Sequence, residues 1–347
     1  WTTLATISGA ATQTTIAGSS LPTGTVYWRV RGRNADNVYG PYSDPVSFIC
    51  IGAPAAPIVS AQPVDFAVIN WQADEQSAYR ITVDDTIVVT AFGTVRTYSL
   101  DDPLPLGSHT VSVEVQNSFG LWSQPGSASF TIQSNTYTKP VITKRKFGVD
   151  FEMSYSIESS NLPQKLYVYR DGVKIATLNR SQRTGTFSDR RVLGTHSYQI
   201  VQRMSDGRAV YSAEVNGTMK VRCPLISLLS GGEWLKLRYS EISQRAETFV
   251  KTKNVSMNHF TGAVFPVAET GPFEDESGTY DVSFDNTADA EAFEALYGKT
   301  VILKTKANNV LVGVLANYQK SVYRFYIAYT FTIQRIHWRD YRDLSAN

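Results

Sequence analysis

Apolar and polar residues alternate along most of the chain. Val26, Trp28 and Val30 share one face of TVYWRVRGRN (25–34). His109, Val111, Val113 and Val115 share one face of SHTVSVEVQN (108–117), and His196, Tyr198 and Ile200 share one face of THSYQIVQR (195–203). A period of two marks strands with one face on a core. FAVINWQ (66–72), AYRITV (78–83), VDFEMSYSI (149–157) and LYVYRDGVKIATL (166–178) predict further strands. Asp171-Gly172 inside the last of these predicts a tight hairpin.

The alternating runs sit inside a repeated phrase. PTGTVYWRVRGRNADNVYGPYS (22–43) returns as PLGSHTVSVEVQNSFGLWS (105–123) and, more loosely, as LGTHSYQIVQRMSDGRAVYS (193–212). Gly24 and Gly107 are 83 residues apart, as are Asn34 and Asn117, and Gly194 lies 87 residues after Gly107. Such a period is one small domain per repeat, a string of beads. The glycine before each run is a turn signal, and Gly40, Gly120 and Gly207 are expected to start the turn to the next strand.

The phrase at 22–34, its weaker copy at 105–117 and Trp71 on an earlier strand resemble fibronectin type III domains. The resemblance implies tandem seven-stranded sandwiches over 1–222, with Tyr155 near the Trp position in the third. In such sandwiches a corner tyrosine often bonds back to the main chain. Its equivalents here are Val26, His109 and His196, where histidine can still donate a ring N–H to a carbonyl. The expected division is 1–53, the C-terminal part of such a domain; 54–134, a whole one; and 135–222, a fibronectin- or immunoglobulin-like sandwich. APAAP (53–57) and YTKP (137–140) read as short linkers. WTTLATISG (1–9) reads as mid-sandwich strand, so Trp1 looks like a cut into a longer protein. The missing strands are expected upstream or from another chain, because half a sandwich cannot bury its inner face.

From Cys223 onward the grammar changes. EWLKLRY (233–239), ETFVKTKNVSM (247–257), AVFPVAE (263–269) and TYDVSF (279–284) read as strands, and FEDESG (273–278) as a solvated acidic turn. TADAEAFEALYG (287–298) predicts a helix over 287–297, capped by Asn286 or Thr287 and ended by Gly298, with Phe293, Leu296 and Tyr297 on one face. TVILKTK (300–306) and VLVGVLAN (310–317) flank a predicted hairpin at Ala307-Asn308-Asn309, and RFYIAYTFTIQRIHW (324–338) predicts a long final strand. FPVAETGPFEDESGTYDVSF (265–284) and FEALYGKTVILKTKANNVLVGVL (293–315) resemble, in pattern and order, the tail-tube-like β domain of phage tail tubes and distal tail proteins. The expected fold class is mainly β: tandem sandwiches, then a C-terminal β-sandwich or barrel (223–347) with one short helix.

Charge adds a pattern. Residues 1–53 carry three basic against two acidic side chains (net +1), and 54–134 two against eight (−6). Residues 135–222 carry fifteen against seven (+8), and 223–347 thirteen against fourteen (−1). An acidic unit beside a basic one suggests complementary packing, within or between chains. The basic residues of 135–222 (KRK at 144–146, Arg180, Arg183, Arg190, Arg191) are scattered and carry no nucleic-acid motif. Two cysteines, Cys50 and Cys223, make no disulfide framework and read as reduced thiols. No apolar run approaches the roughly 18 residues a membrane span needs, and no signal peptide opens the chain.

Catalytic chemistry finds no foothold. His109, His196, His259 and His337 are not at metal-ligand spacing, and neither a nucleophile elbow nor a phosphate loop is present. No catalytic, cofactor-binding or metal residue is therefore expected. FEDESG lacks the alternation of a calcium site. Trp28, Tyr42, Trp122 and Tyr211 could form a sugar-stacking strip, but Trp28 reads as core and the others as repeated packing residues. Asn179, Asn216 and Asn254 begin glycosylation-type triplets, a pattern too cheap to use.

These features lead to the expectation of a non-enzymatic phage tail or baseplate protein, located in the virion. It would use sandwich beads as a rigid arm, dock through its last domain, assemble as a trimer or hexamer with other tail proteins, and meet a host cell-surface glycan as a candidate ligand. The alternative is a secreted, extracellular carbohydrate-binding or adhesive protein with fibronectin-like spacers.

Overall fold

The computed structural model describes residues 1–7, 13–17, 21–144, 149–157, 162–237, 248–261, 264–305 and 309–346. The chain divides into two compact units, Trp1–Ser134 and Asn135–Asn347. Parts of several expected features lie outside the described residues: residues 8–9 of the first run, 145–146 of the KRK run, 238–239, 247, 263 and 306 of four expected strands, and Ala307-Asn308 of the hairpin.

In the first unit, β1 (Gly24–Trp28) pairs antiparallel with β2 (Val46–Cys50) as a two-stranded sheet. Residues 1–7 form no strand, contrary to the sequence reading. Trp28 and Val30 are exposed, not core, because among the described residues no second sheet faces β1. A sandwich follows. β3 (Ile58–Ala61), β4 (Val68–Gln72) and β7 (Thr97–Ser99) make one layer. β5 (Ala78–Val83), β6 (Thr86–Phe92), β8 (Gly107–Gln116) and β9 (Gly126–Ile132) make the other, in the order β6-β5-β8-β9. Ile69, Trp71, Ile81, Val111, Val113 and Val115 pack between them. Gly126 has no substitute, since a Cβ there would run into the Pro57 carbonyl.

The second unit opens with the same plan. β10 (Val141–Lys144), β11 (Phe151–Ser156) and β14 (Thr184–Asp189) form a three-stranded layer. β12 (Lys165–Arg170), β13 (Val173–Leu178), β15 (Gly194–Arg203), β16 (Ala209–Tyr211) and β17 (Val215–Met219) form the opposite one. Tyr155 is buried in this core, as Trp71 is in the earlier one.

A seven-stranded antiparallel sheet completes the chain. It contains β18 (Leu225–Leu228), β19 (Leu235–Lys236), β20 (Thr248–Asn258), β21 (Val267–Phe284), β22 (Thr300–Lys304), β23 (Val310–Val322) and β24 (Ile327–Arg335), in the order β19-β18-β22-β23-β24-β21-β20. Helix α1 (Thr287–Glu294) packs on it through Ala290 and Phe293, capped by Asn286 Oδ1, which accepts the Asp289 N–H at 2.8 Å. The helix ends three residues earlier than expected, and Tyr297 is exposed while Phe293 and Leu296 are buried.

Two findings depart from the sequence reading here. FEDESG is no turn, because it lies in the middle of the 18-residue β21. The register sets Glu274 opposite Lys253 and Glu276 opposite Lys251, so cross-strand cations offset the repulsion that made the run look solvated. The chain also returns to the preceding sandwich: β25 (Arg342–Leu344) pairs parallel with β13, extending the sandwich sheet with a strand from the far end of the chain.

Candidate structural junction and docking arm

The repeated phrase encodes a repeated local architecture. Asn34, Asn117 and Met204 each donate their N–H to the carbonyl four residues on and accept from the residue three on. That residue is left-handed in each copy: Asn37 (φ 64°), Gly120 (φ 83°) and Gly207 (φ 83°). Asn37 therefore occupies the turn position that the alignment assigned to Gly40, and asparagine is the non-glycine residue that best tolerates it. Ser43, Ser123 and Ser212 close the motif, each Oγ accepting the N–H of Val30, Val115 or Ile200 at 3.0–3.1 Å.

His109 and His196 hold equivalent corners. His109 bonds the Pro105 carbonyl through Nε2 (2.8 Å) and Asp84 through Nδ1 (2.6 Å). His196 does the same with Leu193 (2.8 Å) and Asp171 (2.5 Å). Each aspartate is the first left-handed residue of a hairpin, at φ 47° and 50°. Each also accepts a strand N–H, from Thr110 at 3.0 Å or Ser197 at 2.9 Å. The bond to the carbonyl was legible from sequence, whereas the aspartate was not. Both histidines are thus spent on structure.

The corner carries a pH signature. Burial pulls the His109 pKa down, but the bonds to Asp84 and the Pro105 carbonyl outweigh it and the net shift is upward. The hydrogen bond to His109 leads the causes that lower the pKa of Asp84. A raised histidine stabilises fully below its unfolded pKa, about 6.5, and loses that contribution as pH rises through the folded value. A lowered aspartate stabilises above about 3.9 and loses its contribution as pH falls through its folded value. The destabilisation caused by H109Q is expected to be greatest near pH 5–6, about 1 kcal/mol after discounting for the exposed aspartate, and smaller at pH 9. Urea titrations across pH check this, and a pH-independent difference contradicts it.

The second unit buries two ionic clusters, one where its sandwich meets its last sheet and one where the segment after that sheet returns to the sandwich. In the first, the Lys304 side chain is fully buried and donates to the Val149 carbonyl (2.5 Å) and to Asp150 (3.1 Å). Trp234 Nε1 donates to both Asp150 oxygens at 3.0 Å, and Arg190 Nε lies 3.3 Å from Oδ2. The Trp234 ring lies under both cations, at 4.6 Å from Lys304 and 4.8 Å from Arg190. Arg190 also reaches Ser227 Oγ (3.1 Å) and the Gly232 carbonyl (2.6 Å). Burial pulls the Lys304 pKa down and Asp150 opposes it.

In the second cluster, the buried Asp189 accepts from Arg170 (2.7 Å) and from the Tyr198 hydroxyl (3.1 Å) through Oδ2, and from the Arg191 N–H (3.1 Å) through Oδ1. Arg170 also pairs with Asp340, beyond the last sheet. Arg191 donates to the Asp340 carbonyl at 3.2 Å, and Arg342 on β25 to the Ser188 carbonyl at 3.0 Å. Burial drives the Tyr198 phenol pKa upward and lowers those of Arg191 and Arg342. Burial also pulls on Arg170, but Asp189 and Asp340 hold its pKa above the usual value. These charges face each other inside protein, so the arrangement fixes one β layer against another.

Part of the last sheet extends as an arm. Among the described residues β21 pairs with β24 from Ser277 to Phe284, whereas Val267–Thr270 and Glu274–Glu276 pair with β20 alone. Val255, Met257, Phe265 and Val267 on or near this stretch are exposed.

His259 and His337 are exposed and far from the corners in sequence, and among the described residues no three His, Cys, Asp or Glu side chains converge as metal ligands. Cys50 and Cys223 are free and half-buried. Trp122 is half-buried under the Arg80 guanidinium at 4.5 Å, and Tyr42 contacts Arg29 and Arg31, so these aromatic positions are packing sites for cations. No helix among the described residues is long and apolar enough to cross a membrane.

No family model matches the chain, and no curated protein matches it. Solved structures do. The fibronectin(III)-like modules of Clostridium thermocellum CbhA share 13% identity, covering 46% of this chain and 91% of that one (TM-score 0.19). The central fibronectin-III array of RIM-binding protein shares 15%, covering 57% and 76% (TM-score 0.21). The human OSCAR ligand-binding domain shares 14%, covering 47% and 99% (TM-score 0.20). At these identities and TM-scores the likeness carries no conclusion about this chain, and it is the layers of three and four or more strands described above that make it a mainly β chain with tandem sandwiches.

Proposed function

We propose that the chain is a structural, non-enzymatic component of a larger assembly, a phage tail or baseplate in the virion, in which sandwiches space and the last sheet docks. The observation that carries this reading is the arm. A two-stranded ribbon is marginally stable alone in water, and one with exposed apolar side chains and free strand edges gains stability when a neighbour covers it. The ionic junction at the opposite side of the sheet from the arm, around β18 and β22, supports the same reading, because it gives a docked sheet a stiff connection to its sandwich. The tail or baseplate setting itself rests on the sequence pattern of 265–284 and 293–315. Light scattering on the full chain at micromolar concentration is expected to give a closed oligomer, trimer or hexamer, that dissociates when Val255 and Met257 are changed to aspartate. A monomer at every concentration contradicts the proposal.

A further inference from the structure

The first bead carries a feature that a spacer does not need. Arg29, Arg31 and Arg33 stand at alternate positions, and each guanidinium lies over an aromatic ring. Arg29 lies 4.1 Å from the Trp1 ring centroid and 3.9 Å from that of Tyr42. Arg31 lies 4.6 Å from Tyr42 and 3.8 Å from Tyr39, and Arg33 5.8 Å from Tyr39. The result is an alternating ladder: Trp1, Arg29, Tyr42, Arg31, Tyr39, Arg33. Among the described residues none of the three guanidiniums has a carboxylate partner, although Asp36 and Asp44 are close in sequence. Elsewhere the chain does supply them: Arg80, stacked on Trp122, is also paired with Glu114 at 3.2 Å.

Stacking occupies the faces of a guanidinium and leaves its N–H edge free, which is the edge that grips sulfate, phosphate or carboxylate. It also fixes the side chains in place, so less rotamer freedom is lost on binding. The three arginines follow the end of β1 on a segment bonded to 39–43 by Ser43 N–H to the Val30 carbonyl, Gly40 N–H to the Gly32 carbonyl and an Arg33–Tyr39 bridge. At the spacing of extended backbone, about 6.6–6.8 Å per two residues, they offer three cationic edges along roughly 13 Å. Tyr27 continues the row of odd-numbered positions with an exposed ring not used by any of the three arginines. A row of anion-gripping edges with a free aromatic ring at one end fits a linear polymer with regularly repeated negative charge and sugar rings that can stack. Single-stranded nucleic acid fits less well, because its binding uses several free aromatic faces for successive bases, and here the rings of Trp1, Tyr42 and Tyr39 already carry guanidiniums.

We propose that the arginine–aromatic ladder of residues 29–42 is a binding strip for a linear anionic polysaccharide. The strip lies outside the junction and the arm, and it stands whether or not the chain is a virion component.

The test uses the full chain and dextran sulfate, with uncharged dextran, poly-glutamate and single-stranded DNA as comparison probes, in a binding titration at two salt concentrations. Dextran sulfate is expected to bind, dextran not to bind, and poly-glutamate and DNA to bind at least about tenfold more weakly. R29Q/R31Q/R33Q is expected to weaken binding about tenfold or more and to flatten its salt dependence. R29K/R31K/R33K keeps the charge but loses the fork and the stacked geometry, and it is expected to weaken binding severalfold while remaining folded. Full binding by either variant overturns the proposal. Equal binding of poly-glutamate or DNA also overturns it, by showing a surface that reads charge alone.

Discussion

D150A is expected to lower the stability of the unit formed by residues 135–347 by about 3–5 kcal/mol, because it strands a buried cation. Lys304 would keep the Val149 carbonyl but lose its counter-charge, and Trp234 would lose the acceptor of its indole N–H. Arg190 would lose Asp150 but keep Ser227 and Gly232. For a unit of this size the midpoint shift is about 2–4 °C per kcal/mol, so calorimetry is expected to record a fall of roughly 6–20 °C. K304M on its own is expected to cost far less, since Asp150 would keep Arg190 and the indole. Adding K304M to D150A is expected to recover part of the loss, about 2 kcal/mol, because the double variant removes the stranded charge. A D150A shift below about 2 °C would mean that the cluster does not hold the sandwich to the last sheet.

Much of the fold was written in short-range pattern. The alternation that puts Val111, Val113 and Val115 in the core is visible in ten residues, and Asp171-Gly172 is a hairpin signal by itself. The histidine corners could be placed because they follow the repeat. Their aspartates could not, because Asp84 and Asp171 lie 25 residues away on another hairpin and look like ordinary turn residues. The ionic junction is less legible still. Asp150 and Lys304 are 154 positions apart, and nothing in the local sequence of either marks it as paired. β25 is three residues long with no periodicity to read. FEDESG was misjudged for a definite reason. Acidic residues are poor strand formers, and the compensating signal is the K-T-K alternation of Lys251 and Lys253 on the partner strand, which only register brings opposite. Trp28 was placed in a core by its periodicity, yet period two says only which residues share a face and never whether another layer covers it.

D189A is the second substitution with a large expected effect, and it separates charge from hydrogen bonding at the other end of the junction. Asp189 is fully buried and accepts from a guanidinium, a phenol and a backbone N–H. Removing it leaves three guanidiniums, those of Arg170, Arg191 and Arg342, in a half-buried or buried setting with Asp340 as the one remaining carboxylate of the cluster. The expected loss is about 3–4 kcal/mol, near the lower end of the range for a broken buried pair because Arg170 keeps Asp340. D189N keeps the shape and one oxygen acceptor but loses the charge and puts an NH2 donor in place of the other oxygen. It is expected to cost less than D189A because the remaining oxygen can still accept from Arg170 and Tyr198. Asp340 then has to hold Arg170 alone, so the weakening should spread to the strand that follows it. Hydrogen exchange is expected to speed up in β25 and in Ala176–Leu178, the stretch of β13 that pairs with it, while α1 is unchanged. If D189A were to accelerate exchange evenly over residues 135–347, Asp189 would be a general core residue. If it accelerated exchange nowhere, the returning strand would be held by its ladder bonds alone, and the stiff connection on which a docked sheet depends would need another source.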